Sequence, residues 1–173
     1  MEAAHDMGAL IAKQGHRLVY GGGHVGLMGA AADAAMAAGG EVIGVIPTDL
    51  LKKEVGHGSV TELIEVSSMH ERKMKMASLS DGFIALPGGI GTLEELIEVL
   101  TWSQLGFHNK AIGVLNVAGF FEPLFALLDH MVEQRFLRQE HRAQLLSADT
   151  CEGILAAVLA HQGINIDKWM DQG

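Results

Sequence analysis

The sequence is poor in the residues that staple, bend or anchor a chain. Among 173 residues there is one cysteine, Cys151. An internal disulfide is therefore excluded and a reducing, cytoplasmic setting is expected. Cys151 sits in a helical pattern and reads as a small buried apolar residue. Three prolines and no Ser- or Pro-rich stretch leave no candidate linker. No repeat or low-complexity tract is present, so a single domain over residues 1–173 is expected. No apolar run approaches the roughly 20 residues that span a bilayer, and the N-terminus lacks a basic segment followed by an apolar one. Neither a membrane span nor secretion is expected. Positive charge is scarce as well: Lys+Arg 12 against Asp+Glu 21 gives a net charge of -9, which disfavours nucleic acid as a partner. A small anionic ligand stays open, because local geometry can override net charge.

What is abundant is apolar and glycine. With 49% hydrophobic residues and 22 glycines the chain can bury a real core, and disorder or a collagen-like state is excluded. Short apolar or β-branched runs at Arg17 to Tyr20, Glu41 to Ile46, Thr61 to Val66, Gly82 to Leu86 and Ala111 to Val117 predict buried strands. Helix-period segments lie before, between and after them: Ala3 to Gln14, Gly26 to Ala38, Met69 to Ser80, Leu93 to Leu105, Phe121 to Gln134 and Cys151 to His161. This alternation predicts an α/β fold with a parallel sheet covered by helices on both faces. Ligands of such sheets bind beyond the carboxyl ends of the strands. The chain opens directly inside a helical pattern, with no N-cap and no strand before it.

Three segments carry chemistry. The first, Gly21-Gly22-Gly23-His24-Val25-Gly26-Leu27-Met28-Gly29, follows a predicted strand and opens an alanine-rich helix. It matches G-x-G-x-x-G, and Asp49 beyond the next strand stands where a ribose-binding acid would. A plain strand-to-helix turn would look the same. The second, Pro87-Gly88-Gly89-Ile90-Gly91-Thr92-Leu93-Glu94-Glu95, lacks the lysine of a P-loop, which disfavours nucleoside triphosphate hydrolysis. Thr92 and Glu95 stand in T-x-x-E spacing, so local sequence favours a capping box, a reading compatible with a ligand site at the mouth of the glycine loop. Glu94 and Glu95 point about 100° apart on a helix and cannot share one job.

The third segment is Ser68-Met69-His70-Glu71-Arg72-Lys73. Its S-x-x-E capping box puts two cations at the end of a first helical turn, where the helix dipole disfavours them. Either they are solvated, or they have a task. Arg72 is the better candidate, because its planar fork can grip a phosphate or carboxylate in two contacts. The nine histidines show no metal-ligand spacing, and no metal is expected. Met69, Met74 and Met76 read as core filler or pocket lining, and Trp102 as core.

Together these three segments resemble the Lonely Guy (LOG) family, the cytokinin riboside 5'-monophosphate phosphoribohydrolases, from residue 2 to about the last helix. Members have also carried the label lysine decarboxylase, but no strand-and-lysine context for a pyridoxal phosphate Schiff base is evident here. The resemblance implies a Rossmann-like three-layer fold. It implies cleavage of the N-glycosidic bond of adenosine 5'-monophosphate or an N6-modified derivative, giving free base and ribose 5-phosphate, with no cofactor. It assigns Arg72 and Glu95 as the catalytic pair. Gly88, Gly89, Gly91, Thr92 and Glu94 match the nucleotide-binding loop, and Gly22, Gly23, Glu54, Met69, Lys73 and Thr101 match further substrate positions. A homodimer is implied, with helices such as Leu93 to Leu105 available for the interface. The family's opening strand and its C-G-S type loop have no counterpart in this chain, for which a misplaced start or a truncation is a better account than natural loss. Two other classes stay open: a dinucleotide-dependent oxidoreductase built on the first glycine cluster, and a non-catalytic nucleotide-binding module that dispenses with Glu95.

Overall fold

The computed structural model describes residues 1–51 and 56–163. In chain order it contains α1 (Glu2–Lys13), β1 (Leu18–Tyr20), α2 (Gly26–Ala37), β2 (Val42–Pro47), α3 (Thr48–Leu51), β3 (Glu62–Val66), α4 (Met69–Leu79) and β4 (Gly82–Ala85). Then follow α5 (Ile90–Gln104), β5 (Ala111–Leu115), a 3-10 turn (Val117–Gly119), α6 (Glu122–Glu133), α7 (Gln139–Arg142), β6 (Leu145–Ala148) and α8 (Cys151–Ala160). The alternation expected from the sequence is borne out. The short elements α3, α7 and β6 escaped it, being too brief to show a period. The chain divides into two compact units, Met1–Ser80 and a second beginning at Asp81. Among the described residues no helix is long and apolar enough to cross a membrane.

The first unit is built on the parallel sheet β1-β2-β3. Successive residues of β2 point to opposite faces, and the two faces meet different helices. Val42 packs with Ala32 and Ala35 of α2 and with Tyr20, whereas Ile43 and Val45 pack with Met76 and Leu79 of α4. Every residue of β2 is buried, which explains why it reads as a continuous apolar run rather than an alternating one. Each fully buried Val or Ile contributes about 1.5–3 kcal/mol through apolar burial. On the outer layer α1 lies directly on α2. The approach is so close that a Cβ on Gly8 would sit 2.0 Å from the Ala31 carbonyl oxygen.

The second unit repeats the scheme with the parallel sheet β4-β5-β6. One face is covered by α5 and α6: Leu96, Leu100, Ile112, Val114, Phe121, Leu128 and Leu145 form one buried cluster. The other face receives α8, whose Ile154 and Val158 side chains fill the space over Gly113. His108 closes the connection from α5 to β5, with Nε2 2.9 Å from the Val99 carbonyl and Nδ1 3.1 Å from the Lys110 amide. Burial holds its pKa below the ordinary histidine value, and the Lys110 charge acts in the same direction. The neutral ring that results can donate at Nε2 and accept at Nδ1. Cys151 opens α8 and is half-buried rather than fully enclosed.

Gly8→Ala tests the α1–α2 contact. Alanine is favoured over glycine inside a helix by about 1 kcal/mol, so propensity alone would raise stability. The clash with backbone at Ala31 outweighs this, and a net loss of about 1–3 kcal/mol is expected in a denaturant titration. A variant as stable as the parent would show that the helices separate freely.

Candidate functional site

In each unit the notable residues gather at the carboxyl ends of the strands. The turn Gly21-Gly22-Gly23 leaves β1 and is buried throughout. Gly22 adopts φ +76°, a conformation that side chains disfavour, and its Cα lies 2.9 Å from the position of a Cβ on Gly44 of β2. The glycines thus bring backbone down onto the neighbouring strand.

Arg72 explains why the turn can stay there. It is the fourth residue of α4 and only 7% exposed, so it is not a solvated surface charge. Its Nε donates to the Val45 carbonyl and its Nη2 to the Gly21 carbonyl, both at 3.2 Å. The last β1–β2 pair is Tyr20↔Gly44, so Arg72 takes the carbonyls one residue beyond it on each strand. A Cβ on Gly21 would lie 1.7 Å from Nη2, so any side chain here would push the guanidinium off its present bonds. The cation that breaks the helix-dipole rule is therefore compensated by two carbonyl oxygens, one in the turn after β1 and one within β2. Met69, at the first position of α4, lies 3.8 Å from Nη1 through its sulfur. Lys73 follows, half-buried.

The N-terminus of α4 is closed by its own side chains. Ser68 Oγ accepts from the Glu71 amide at 3.2 Å, and Glu71 Oε2 accepts from the Ser67 amide at 2.7 Å and the Ser67 hydroxyl at 2.6 Å. The expected capping box forms, with its return bond displaced by one residue to Ser67. These bonds hold the Glu71 pKa below the ordinary carboxylate value.

The second glycine segment behaves differently. The helix α5 starts at Ile90, with Gly89 as N-cap and no side-chain cap. Thr92 is then the third helical residue, and the T-x-x-E spacing does not make a capping box. The helix begins earlier than the sequence pattern indicates, because the glycines themselves adopt the entry geometry. Thr92 instead folds back onto Gly88, where a Cβ would meet its hydroxyl at 2.2 Å. Glu94 is exposed and Glu95 half-buried, one turn further along than a cap would be. Glu95 therefore does not cap α5. Thr101, exposed on the same helix, turns its hydroxyl to the Ile97 carbonyl at 2.7 Å. Glu54 lies outside the described residues. Asp49 is exposed on α3.

Two features were invisible in the chain order. Behind the first glycine turn, His57 is 1% exposed and its amide donates to the Gly22 carbonyl at 3.3 Å. An isolated bridge joins Gly23 to Gly56 alongside it. Tyr20 is buried nearby, and burial together with the Asp33 charge pushes its phenol up to about 12. At the carboxyl ends of β5 and β6 a shallow cleft of about 420 Å³ is lined by Asn116, Glu122, Ser147 and Asp149 among others. There Asn116 accepts from the Phe121 amide and donates to Glu122, both at 2.7 Å, so these polar groups serve the entry to α6.

Residues 28–158 match a family model described as possible lysine decarboxylase. A probable cytokinin riboside 5'-monophosphate phosphoribohydrolase of Oryza sativa subsp. japonica is 49% identical over 89% of this chain and 69% of its own length. A cytokinin riboside 5'-monophosphate phosphoribohydrolase of Arabidopsis thaliana is 43% identical over 95% of this chain and 72% of its own. Another from rice is 47% identical over 89% of this chain and 64% of its own, so the chain spans about two thirds of the length of these relatives. Among solved structures, the molybdenum cofactor binding protein of Rippkaea orientalis aligns with TM-score 0.69 and 26% identity, covering 92% of this chain and 85% of that one. The extent of the match, and the three glycine- and arginine-bearing segments within or beside it, make this chain a member of the LOG family of cytokinin riboside 5'-monophosphate phosphoribohydrolases.

Proposed function

We propose that the protein hydrolyses the N-glycosidic bond of adenosine 5'-monophosphate or an N6-modified derivative, releasing free base and ribose 5-phosphate. The observation that carries this reading is the placing of two glycine turns, each at the carboxyl end of a strand and each opening a helix without a side-chain cap. Hydroxyl side chains close α4 and α8, through Ser68 and Thr150; α1, α6 and α7 have no side-chain cap, and neither do α2 and α5, which are the two entered from a run of glycines beyond a strand. An uncapped N-terminus behind a glycine turn offers backbone N–H groups and a partial positive charge to a phosphate. The named activity of relatives 43% to 49% identical supplies the reaction.

In this reading Gly88, Gly89, Gly91, Thr92 and Glu94 receive the nucleotide, with Gly22, Gly23, Met69, Lys73, Thr101 and Glu54 as further substrate positions. Breaking C1'–N9 builds positive charge on the sugar and negative charge on the departing purine. Glu95 takes a proton from water as the water oxygen bonds to C1', and its carboxylate balances the oxocarbenium. The C1'–N9 electron pair leaves with the base, which is then protonated. General-base action supplies roughly 10²- to 10⁴-fold, so positioning and charge stabilisation carry most of the acceleration. Arg72 serves first by holding the Gly21 turn in place, and through it the substrate. The reaction needs no cofactor. A cytoplasmic homodimer fits the single cysteine and the exposed Ile90 and Ile97 on α5, and light scattering of the purified chain tests the dimer.

Incubation with adenosine, AMP and ATP, without added cofactor, separates the candidate functions. Free adenine from AMP is expected, with adenosine far slower in kcat as well as KM, because binding energy from the phosphate is lost in the transition state. Release of base that requires a nicotinamide cofactor, or none at all, overturns the hydrolase.

Glu95→Gln should lower kcat by about 10²- to 10³-fold while leaving the melting temperature close to the parent's, since Glu95 does not cap α5. Near-parental turnover would remove Glu95 from the chemistry. Arg72→Lys keeps the charge but cannot span two carbonyls in one plane. It should cost about 1.5–3 kcal/mol of stability in addition to a large fall in kcat/KM. An unchanged melting temperature would show that the Gly21 and Val45 carbonyls do not depend on the guanidinium.

A further inference from the structure

We propose that His24, Asp33 and His57 form a three-ligand site for a divalent first-row transition metal such as Zn²⁺, which clamps the first glycine turn. The three come from different places: the end of the turn after β1, the body of α2 and the segment before β3. One ligand atom from each lies within 4.8 Å of the others. Two imidazoles and a carboxylate suit Zn²⁺, Co²⁺ or Ni²⁺ better than Mg²⁺ or Ca²⁺, which take oxygen ligands.

The buried member sets the geometry. His57 is 1% exposed and has its Nδ1 3.1 Å from the Ser59 hydroxyl and its Nε2 3.0 Å from Asp33 Oδ1. With Ser59 accepting from Nδ1–H, the Nε2 lone pair faces the Asp33 carboxylate and shares with it either a second proton or a metal ion; in the other tautomer Nε2–H donates to Asp33 and a metal would displace that proton. Ligating histidines are held in this way, by an acceptor on the second ring nitrogen. Two ligand atoms on one tetrahedral Zn²⁺ stand about 3.4 Å apart, given bonds of about 2.0–2.2 Å, so the Asp33–His57 spacing is already near that value. The His24 ring stands edge-on to His57 with centroids 4.4 Å apart. His24 is exposed and Asp33 lies on the surface of α2, so both side chains can close onto an ion and leave a fourth position to water. The site would tie His24 to α2 and to the segment that already holds Gly22 and Gly23 through the His57 amide and the Gly23–Gly56 bridge. Metal binding would therefore stiffen the turn from the side opposite Arg72.

A metal-free preparation of the full chain, titrated with Zn²⁺ by calorimetry and followed by thermal melting, tests this. One equivalent should bind, and the melting temperature should rise by roughly 5–10 °C at a hundredfold excess over Kd. Co²⁺ should give visible d–d absorption at the same stoichiometry. His24→Ala and Asp33→Asn alter exposed side chains, and each is compared with its own metal-free melt, because both also touch the buried His57 ring. Each should lose the Zn²⁺-dependent rise and the Co²⁺ bands. Absence of stoichiometric binding by the parent shows that a proton alone joins Asp33 and His57, and overturns the site. Binding that is undiminished in either variant overturns it equally, by placing the metal on other histidines.

Discussion

The arrangement of the first unit depends on one buried guanidinium. Arg72 joins α4 to the turn that leaves β1 and to the middle of β2 by donating to the Gly21 and Val45 carbonyls, both at 3.2 Å. A buried cation is costly unless its donors are satisfied, and carbonyls beyond the last ladder pair are acceptors in need of a donor. The two needs meet in one side chain. Gly21, Arg72 and the Ser68–Glu71 cap then read as parts of a single contact. The cap fixes where α4 starts, the start fixes where residue 72 points, and the missing Cβ at residue 21 leaves room for Nη2.

The second constraint is where helices are left without a cap. Serine and threonine hydroxyls cap the starts of α4 and α8; α1, α6 and α7 have no side-chain cap, and neither do α2 and α5, which begin after glycine-bearing turns with Val25 and Gly89 in the N-cap position. Glycine and valine side chains cannot accept a hydrogen bond, so the first N–H groups of these two helices must look to solvent or ligand. Both lie at the carboxyl end of a strand in a parallel sheet, which is where doubly wound folds take their ligands. The chain's overall charge of -9 does not oppose this, because an oriented row of amides acts over a few ångströms and net charge acts over many.

Support for the first glycine turn comes from two directions. Arg72 holds it from α4, and the segment around His57 holds it from the opposite side, through a hydrogen bond from the His57 amide to the Gly22 carbonyl and a bridge from Gly56 to Gly23. Such bracing suits a turn whose own glycines contribute no side-chain packing and lose much conformational freedom on folding. The Asp33–His57 pair and the nearby Tyr20 phenol, pushed up to about 12, place unusual polarity under an otherwise apolar strand end.

Most of the architecture was determined by the sequence alone, since buried parallel strands and amphipathic helices write their periods directly into the chain. Val42–Pro47 and Ala111–Leu115 are continuous apolar runs because both faces of each sheet are covered. The candidate residues on α4 and α5 were legible for a similar reason: glycine runs and S-x-x-E spacing are local signals. What the local pattern misjudged was the start of α5, because T-x-x-E satisfies the capping rule whether or not the chain has already turned helical at Ile90. Tertiary structure alone decided the rest. That Arg72 is buried and faces carbonyls rather than water follows from the meeting of α4 with the turn after β1 and the middle of β2, and no spacing in the chain records it. The same holds for His24, Asp33 and His57, whose nine- and twenty-four-residue separations carry no ligand motif, and which become neighbours only because β1, α2 and the approach to β3 converge on one strand end.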